Sequence, residues 1–190
     1  MSALSYSAPP ELLAQAQSQS NCNLPPGFQI KDFTAKSNET GPTASLTAYN
    51  FTFVDQTTSV TTNCQFNSSS VSTTPPGLTP RFACDKSGTS GVKFIWDNTR
   101  RQLTMVERIC PNIRGVPTYE VAGIATIALS CPSTSGTCTT NSTSIDGKFT
   151  ALDPVTDPTR VKVKYWYLRI GRIQGIDGWM QQDISIGVVL

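Results

Sequence analysis

Residues 46–54 read Leu-Thr-Ala-Tyr-Asn-Phe-Thr-Phe-Val, and this stretch decides the fold class. Its aromatic residues Tyr49, Phe51 and Phe53 alternate with small or polar residues. Because successive side chains of a β-strand point to opposite faces, the three rings share one face and Asn50 lies on the other. The pattern therefore predicts a strand with one face in a core and the other in solvent.

The same period-two alternation recurs along the chain from Phe28 onward. Residues 92–97 and 103–109 flank an Asp-Asn-Thr-Arg turn and predict a β-hairpin. Residues 116–129 and 144–152 supply two further strands, and small residues in the first of them indicate tight packing or a bulge. Because Ser- and Pro-rich turns separate these short runs, we predict an all-β, single-domain antiparallel barrel or sandwich.

The chain of 190 residues is long enough for one domain with its own core. Residues 1–21 are rich in Ser, Ala and Gln, and we expect a disordered tail with at most a short helical turn over 11–17. The β-domain covers 22–152. We expect no helix longer than three turns in it.

Residues 153–190 form an atypical C-terminal extension. Its segment 160–172 carries five Lys or Arg residues and no acid, interleaved with aromatic residues. One hypothesis is a basic aromatic strand that grips an anionic glycan or a membrane surface. The alternatives are an extra edge strand, a disordered extension, or translated non-coding sequence that does not belong to the natural protein.

Six cysteines form an even set without CxxC spacing, and the chain contains no histidine, so disulfides are favoured over a zinc site. Disulfides indicate an oxidising compartment, whereas six free thiols would indicate an intracellular protein. A flexible turn separates the last two cysteines, so their pairing is the first we expect. The pairings favoured, in this order, are Cys131–Cys138, Cys64–Cys84 and Cys22–Cys110.

Charged residues make up 15% of the chain, well below the usual share of about 25%, and Ser, Thr and Asn replace them. Such a polar, uncharged surface is typical of a secreted glycoprotein. No signal peptide is visible in residues 1–20, so we interpret the chain as a mature form behind an initiator Met, or as the product of a wrong gene start. Four N-glycosylation patterns begin at Asn38, Asn50, Asn67 and Asn141.

The formal net charge of +2 gives no field strong enough to gather a nucleic acid. No stretch approaches the roughly 20 apolar residues of a membrane-spanning helix. We therefore expect a soluble protein that does not bind nucleic acid and has no membrane-spanning helix.

The absence of histidine excludes Ser-His-Asp and Cys-His catalysis and the common histidine-ligated metal centres. A carboxylate pair of the glycosidase kind remains. Glu107 is the best single candidate, because it shares a strand face with apolar residues and would be desolvated. Glu120 and Asp146 are its candidate partners, although nothing in the sequence brings either near it. The alternative is a surface role for Glu107 at the rim of its strand, which we favour.

Two other site hypotheses follow from residue type. A sugar-stacking platform would use exposed aromatic side chains, although aromatic residues in strands more often belong to a core. A calcium site in the Pro-rich loop would use Asp153 and Asp157, but the loop lacks the usual density of oxygen ligands. The platform candidates are Trp96, Trp166, Trp179, Tyr49, Tyr119 and Tyr165.

Three segments resemble small secreted proteins of filamentous fungi, in particular the family of the Alternaria major allergen and its effector-like relatives. They are residues 28–35 with an I-x-D-F-T-A pattern, the aromatic strand 43–55 that ends in Asp, and the Thr-Thr-Asn-Cys step at 61–64. The resemblance implies a compact, disulfide-bonded, often dimeric β-barrel without established enzymatic activity. Cys22 and Cys64 correspond to cysteines of that family, which supplies no catalytic residues.

These features together predict a secreted, extracellular fungal interaction protein, effector-like or allergen-like, that uses no metal or cofactor. It would act without catalysis by binding a protein or glycan at a host or fungal cell surface, and it could form a homodimer. One alternative is a carbohydrate-binding or glycan-active protein. The other is a small-ligand carrier whose barrel interior is lined by residues such as Phe51, Phe94 and Leu129.

Overall fold

The computed structural model describes residues 6–41, 44–85, 90–132 and 136–155. Residues 1–156 form one compact unit, and the extension beyond residue 155, with its basic aromatic segment, lies outside the described residues. The elements are α1 (Pro10–Ser18), β1 (Gly27–Ser37), β2 (Leu46–Asp55), β3 (Val60–Phe66), β4 (Phe82–Ala83), β5 (Val92–Asp97), β6 (Gln102–Pro111), β7 (Pro117–Thr126), β8 (Leu129–Ser130), β9 (Thr137–Thr140) and β10 (Ser144–Pro154).

The strands form a single antiparallel sheet that curls into a nearly closed barrel, which confirms the all-β prediction. The order along the sheet is β3-β2-β1-β10-β7-β6-β5-β4, and the β8–β9 pair attaches through β9 to β1. The predicted hairpin is β5–β6, with Trp96 opposite Leu103. None of the described helices is long and apolar enough to span a membrane.

A β-bulge in β1 explains the I-x-D-F-T-A pattern. The pairing of β1 with β2 is interrupted between Lys31 and Thr34, and Asp32 has a φ of 54°. Before the bulge Ile30 points inward, and after it Phe33 does. The extra residue therefore keeps the Asp32 carboxylate in solvent, because strict alternation from Ile30 would have placed it in the core.

A glycine brings β7 and β10 together. A Cβ atom on Gly123 would lie 2.1 Å from the carbonyl oxygen of Lys148, so no larger residue fits there. The pairing of the two strands shifts register nearby, between Phe149 and Ala151. Both observations agree with the tight packing or bulge that the small residues of this strand predict.

Aromatic rings fill the barrel. The centroids of Phe51 and Phe94 are 5.4 Å apart, and those of Phe28 and Phe149 are 4.9 Å apart. Burying a phenylalanine stabilises a fold by about 1.5–3 kcal/mol. The alternation read from residues 46–54 therefore supplies much of the core.

The N-terminal arm, residues 6–21, corrects the disordered tail expected there. Pro10 begins α1, where a missing N–H costs nothing, and Ala16 of this helix is 0% exposed. Leu12 and Leu13 pack against the core cluster on the same side. A Ser- and Gln-rich segment was expected to bury too little apolar surface to be ordered. Its few apolar side chains are sufficient, because they pack against the end of the barrel.

Three disulfides tie the chain together: Cys22–Cys110, Cys64–Cys84 and Cys131–Cys138. These are the pairings that the sequence favours. The first fixes the end of the N-terminal arm to the end of β6, and the second joins β3 to the residue after β4. The third closes the turn before β9.

Candidate functional site

The barrel wall is incomplete between β3 and β4, a gap called here the seam. In the described chain β3 pairs with β2 alone and β4 pairs with β5 alone, so no hydrogen-bonded ladder joins the two edges. The Cys64–Cys84 disulfide and the contact between the rings of Phe66 and Phe82, with centroids 4.9 Å apart, close the seam instead.

A groove of about 580 Å³ follows the seam on the outer surface. Polar side chains provide most of its lining, and Val71 is an apolar residue in it that is 83% exposed. Leu78, in the same loop, is 63% exposed. The seam groove is lined by Gln65, Asn67, Ser69, Ser70, Val71, Ser72, Thr73, Phe82, Ala83, Cys84 and Asp85.

The edge of β3 that has no strand partner lacks the residues that usually prevent pairing with another chain. Edge strands are commonly guarded by charged residues or proline, which prevent pairing with another chain. The sequence of β3 is Val-Thr-Thr-Asn-Cys-Gln-Phe, without a charge or a proline, and Thr61, Asn63 and Gln65 point outward. Away from Cys64 and Phe66, which contact Cys84 and Phe82, this edge has no strand partner in the described chain.

A second feature is an acid pair inside the end of the barrel. Glu107 of β6 is 0% exposed and Asp55, the last residue of β2, is 1% exposed. Glu107 points into the barrel with Met105 and Ile109, as the strand pattern predicts and against the surface role that we favoured. Burying an ionised carboxylate without a cation is costly, so this pair requires a physical explanation.

Hydrogen bonds satisfy one oxygen of each carboxyl group. The Thr58 hydroxyl donates to Glu107 Oε1 at 2.7 Å, and the Thr57 N–H donates to Asp55 Oδ1 at 2.7 Å. The other two oxygens, Asp55 Oδ2 and Glu107 Oε2, are buried and have no donor. Since the two carboxyl groups lie within hydrogen-bonding reach of each other, one proton held between them would supply the missing bond.

The surroundings of Glu107 favour that proton. Burial raises the pKa of Glu107 to about 8, and the charge of Asp55 and a hydrogen bond with it act in the same direction. The hydrogen bond from Thr58 opposes them. Burial and the neighbouring Asp55 therefore favour the protonated form of Glu107.

Tyr6 of the N-terminal arm lies close enough to the pair for the charges of both carboxyl groups to act on its hydroxyl. Burial and the charges of Asp55 and Glu107 raise the pKa of Tyr6, so its hydroxyl stays neutral. That hydroxyl donates a hydrogen bond to the carbonyl oxygen of Pro25. The arm thus lies next to two carboxyl groups that are at most 1% exposed.

The structure does not bring the predicted partners of Glu107 to it. Glu120 lies on the outer face, where its carboxylate accepts from Arg108 Nε at 3.0 Å and pairs with Arg81 at 3.5 Å. Asp146 is exposed and accepts from Gln29. Sequence reasoning missed Asp55 as the partner, although the alternation of residues 49, 51 and 53 continues inward to residue 55.

The structure describes some of the residues of the sugar-stacking and calcium-site hypotheses. Trp96 packs against Phe33 and Tyr49, with ring centroids 5.9 and 5.8 Å apart, so its ring contributes to the core. Tyr119 is buried and Asp153 is exposed. Within the described ranges no group of three or more acidic or cysteine residues could hold a metal ion. Trp166, Trp179, Tyr165 and Asp157 lie outside the described residues.

The interior expected for a ligand carrier is occupied at the positions named for it. Phe51 and Phe94 are 2% and 0% exposed, and their rings contact each other edge to face. Leu129 is half-buried at the start of the β8–β9 pair. These side chains therefore serve as packing.

Three of the glycosylation patterns lie on exposed positions, at Asn38, Asn50 and Asn141. Asn67 is half-buried in the lining of the seam groove, and its side-chain oxygen accepts hydrogen bonds from the N–H and the hydroxyl of Ser69. A glycan on Asn67 would stand at the mouth of the groove.

The sequence matches no protein-family model and no curated protein. The structure is similar to the crystal structure of the major allergen Alt a 1 of Alternaria alternata, with a TM-score of 0.46 and 11% sequence identity. The match covers 69% of this chain and 95% of that chain. A similarity of this size concerns the fold and gives no information about a partner.

Proposed function

We propose that this protein is a secreted, extracellular binding protein that accepts an extended strand of a partner protein at the seam, and that it works without catalysis. The free edge of β3 beside the seam groove carries the proposal. An exposed sheet edge binds a peptide through main-chain hydrogen bonds, while adjacent pockets select its side chains.

The lining of the groove favours a polypeptide over a glycan. Sugar binding commonly uses an exposed aromatic face, and Phe82, the aromatic residue of the groove, directs its ring to Phe66 and Phe94. Main-chain donors and acceptors in a row match another β-strand. Val71 offers an apolar contact for one of its side chains.

The sealed position of the acid pair supports a role without catalysis. A general acid or base must lie within hydrogen-bonding distance of the substrate. Asp55 and Glu107 are at most 1% exposed and lie beneath Tyr6. A substrate has no access to them while the arm is in place.

The three disulfides support the extracellular location, because such bonds persist in oxidising compartments. The four glycosylation patterns fit the same location. A fungal origin and an effector-like or allergen-like role at a host or fungal cell surface rest on the sequence motifs of residues 28–35, 43–55 and 61–64.

The test is selection of a displayed library of random peptides on the deglycosylated protein, followed by calorimetry with the best peptide. Gln65→Lys places a charge on the free edge of β3, beside the groove. We expect it to weaken peptide binding at least ~tenfold, which is ~1.4 kcal/mol. Thr126→Lys, an equally exposed change on β7, is the matched control and should leave binding unchanged.

Other outcomes contradict the proposal. Equal loss of binding in both variants would indicate that charge, and not the edge of β3, controls affinity. Binding to a glycan array without peptide binding would indicate the carbohydrate alternative. A dimer in light scattering that Gln65→Lys converts to monomer would mean that a second copy of this chain occupies the edge.

A further inference from the structure

The acid pair and the N-terminal arm form one structural unit at the end of the barrel. Tyr6 contributes a ring and a hydroxyl above Asp55 and Glu107, and α1 continues over the same end with Ala16 fully buried. The Cys22–Cys110 disulfide anchors the arm where it joins the barrel.

The groups facing Glu107 are few. Asp55 faces it from β2, Thr58 from the β2–β3 turn and Tyr6 from the arm. Its cross-strand neighbours on β5 and β7 are Val92 and Val121, both apolar and buried. In the described chain the ion pairs join other residues, so no cation compensates the two carboxyl groups through such a pair.

Loss of the proton from Glu107 would place a buried negative charge beside the Asp55 carboxyl group, where two buried oxygens lack a donor. A charge without a cation in a water-poor site is costly, and the charge of Asp55 adds repulsion. Water or movement of a neighbouring segment must relieve that repulsion. The segment held by the fewest contacts is the one expected to move first.

The strands around the pair are held by continuous ladders, whereas the arm has few bonds. The Ser7 N–H donates to the Thr150 carbonyl oxygen at 2.6 Å, and Gln19 contacts Tyr119 and Thr118 at 3.5 and 3.3 Å. No side chain caps the N-terminus of α1. Segments with few buried contacts open at the lowest free energy, so the arm opens before the strands do.

We propose that the N-terminal arm is a proton-gated cover of the barrel end, closed while Glu107 holds a proton beside Asp55 and open when Glu107 ionises. Opening lets water reach both carboxylates and removes Tyr6 from above them. The disulfide at Cys22 keeps the open arm attached to the barrel, so the movement is reversible.

Hydrogen exchange measured by mass spectrometry tests the proposal, with rates corrected for the intrinsic effect of pH. We expect the protection of residues 6–18 to fall at least ~tenfold between about pH 5 and about pH 8.5, because a carboxyl whose pKa is raised in the closed state couples opening to pH over that interval. Peptides from β2 and β6 should keep their protection throughout.

Glu107→Gln keeps the size of the side chain and removes its ionisation, so the arm of this variant should stay equally protected at both pH values. Asp55→Asn removes the smaller contribution of Asp55 and leaves Glu107 buried, so its response should be reduced but still present. Glu11→Gln changes the one acid of the arm itself and is the matched control, with a response like that of the unmodified protein.

Three results would overturn the proposal. The first is an arm in the unmodified protein whose protection does not change over this interval, a measurement that needs no variant to fold. The second is a loss of protection in Glu107→Gln as large as in the unmodified protein. The third is abolition of the response by Glu11→Gln, which would place the titrating group in the arm.

Discussion

The seam and the barrel end are two places where the barrel leaves polar groups without a strand partner. The polar groups of the two places differ, and so do the contacts that hold them. At the seam the main chains of β3 and β4 do not pair, and a disulfide and two rings hold them while polar main-chain groups face solvent. At the barrel end the polar groups are side-chain carboxyls, and the N-terminal arm covers them. A polar group left unpaired is tolerated in water, whereas a buried one must find a proton or a partner.

The largest expected effect is the loss of unfolding free energy when a disulfide is removed, and it differs between the two regions. By the loop-entropy relation, loss of Cys22–Cys110, with a separation of 88 residues, costs about 4.6 kcal/mol of unfolding free energy. Loss of Cys64–Cys84, with a separation of 20, costs about 3.3 kcal/mol. Urea denaturation of the two double-serine variants measures both.

The Cys131–Cys138 pair is the internal control for this ranking. Its separation of 7 residues gives about 2.4 kcal/mol. A larger loss for this pair than for Cys22–Cys110 would mean that strain or residual structure, and not loop entropy, decides how the disulfides contribute.

The next largest effect is the pH dependence of stability, which we expect to come from the barrel end alone. Because the folded state raises the pKa of Glu107 to about 8 from a usual value near 4.5, the folded protein binds more protons than the unfolded chain between these values. Stability should therefore be full below about pH 4.5 and fall by a few kcal/mol as pH rises to about 8. Thermal unfolding in a series of buffers measures this loss.

Glu107→Gln should remove most of that pH dependence. Glu120→Gln, a change on the outer face of the barrel, should leave it in place, because this carboxylate is bound by arginines in contact with solvent. A pH dependence that persists in Glu107→Gln would assign the titration to another group and weaken the contrast between the two regions.

The smallest effect compares a part-buried hydrogen bond at the barrel end with an exposed one on the outer face. Thr58→Val removes the donor to Glu107 and should cost about 1–2 kcal/mol. The same change at Thr52, whose hydroxyl donates to Asn63 on the exposed face at 3.0 Å, should cost less than about 0.5 kcal/mol. Equal costs in urea denaturation would mean that the barrel end is as hydrated as the surface.

Much of the fold could be predicted from local patterns. Alternation in residues 46–54 and 92–109 placed the strands and their inward faces, because side-chain direction in a strand has a fixed period of two. The Cys131–Cys138 pairing favoured by the composition of the turn between them is present in the structure, as are the two pairings ranked after it. The polar strand β3 was not predicted as a separate strand, because an edge strand with an exposed face carries little apolar alternation.

The candidate site was harder to predict. Glu107 could be placed inside from its own strand, but Asp55 joins it through the curvature of the sheet, which no local pattern records. The arm was expected to be mobile because its composition is polar. Its burial depends on the barrel end that receives it, and that surface forms from distant segments.

The sequence by itself determined the long alternating strands, their inward residues, the even set of cysteines and the exclusion of histidine chemistry. Each depends on residue type or on spacing within a few positions. The tertiary structure alone decided that β3 is a free edge, that Asp55 meets Glu107 and that Tyr6 covers both. These depend on the order of strands in the sheet, because long-range pairing brings together groups whose neighbours along the chain carry no sign of the contact.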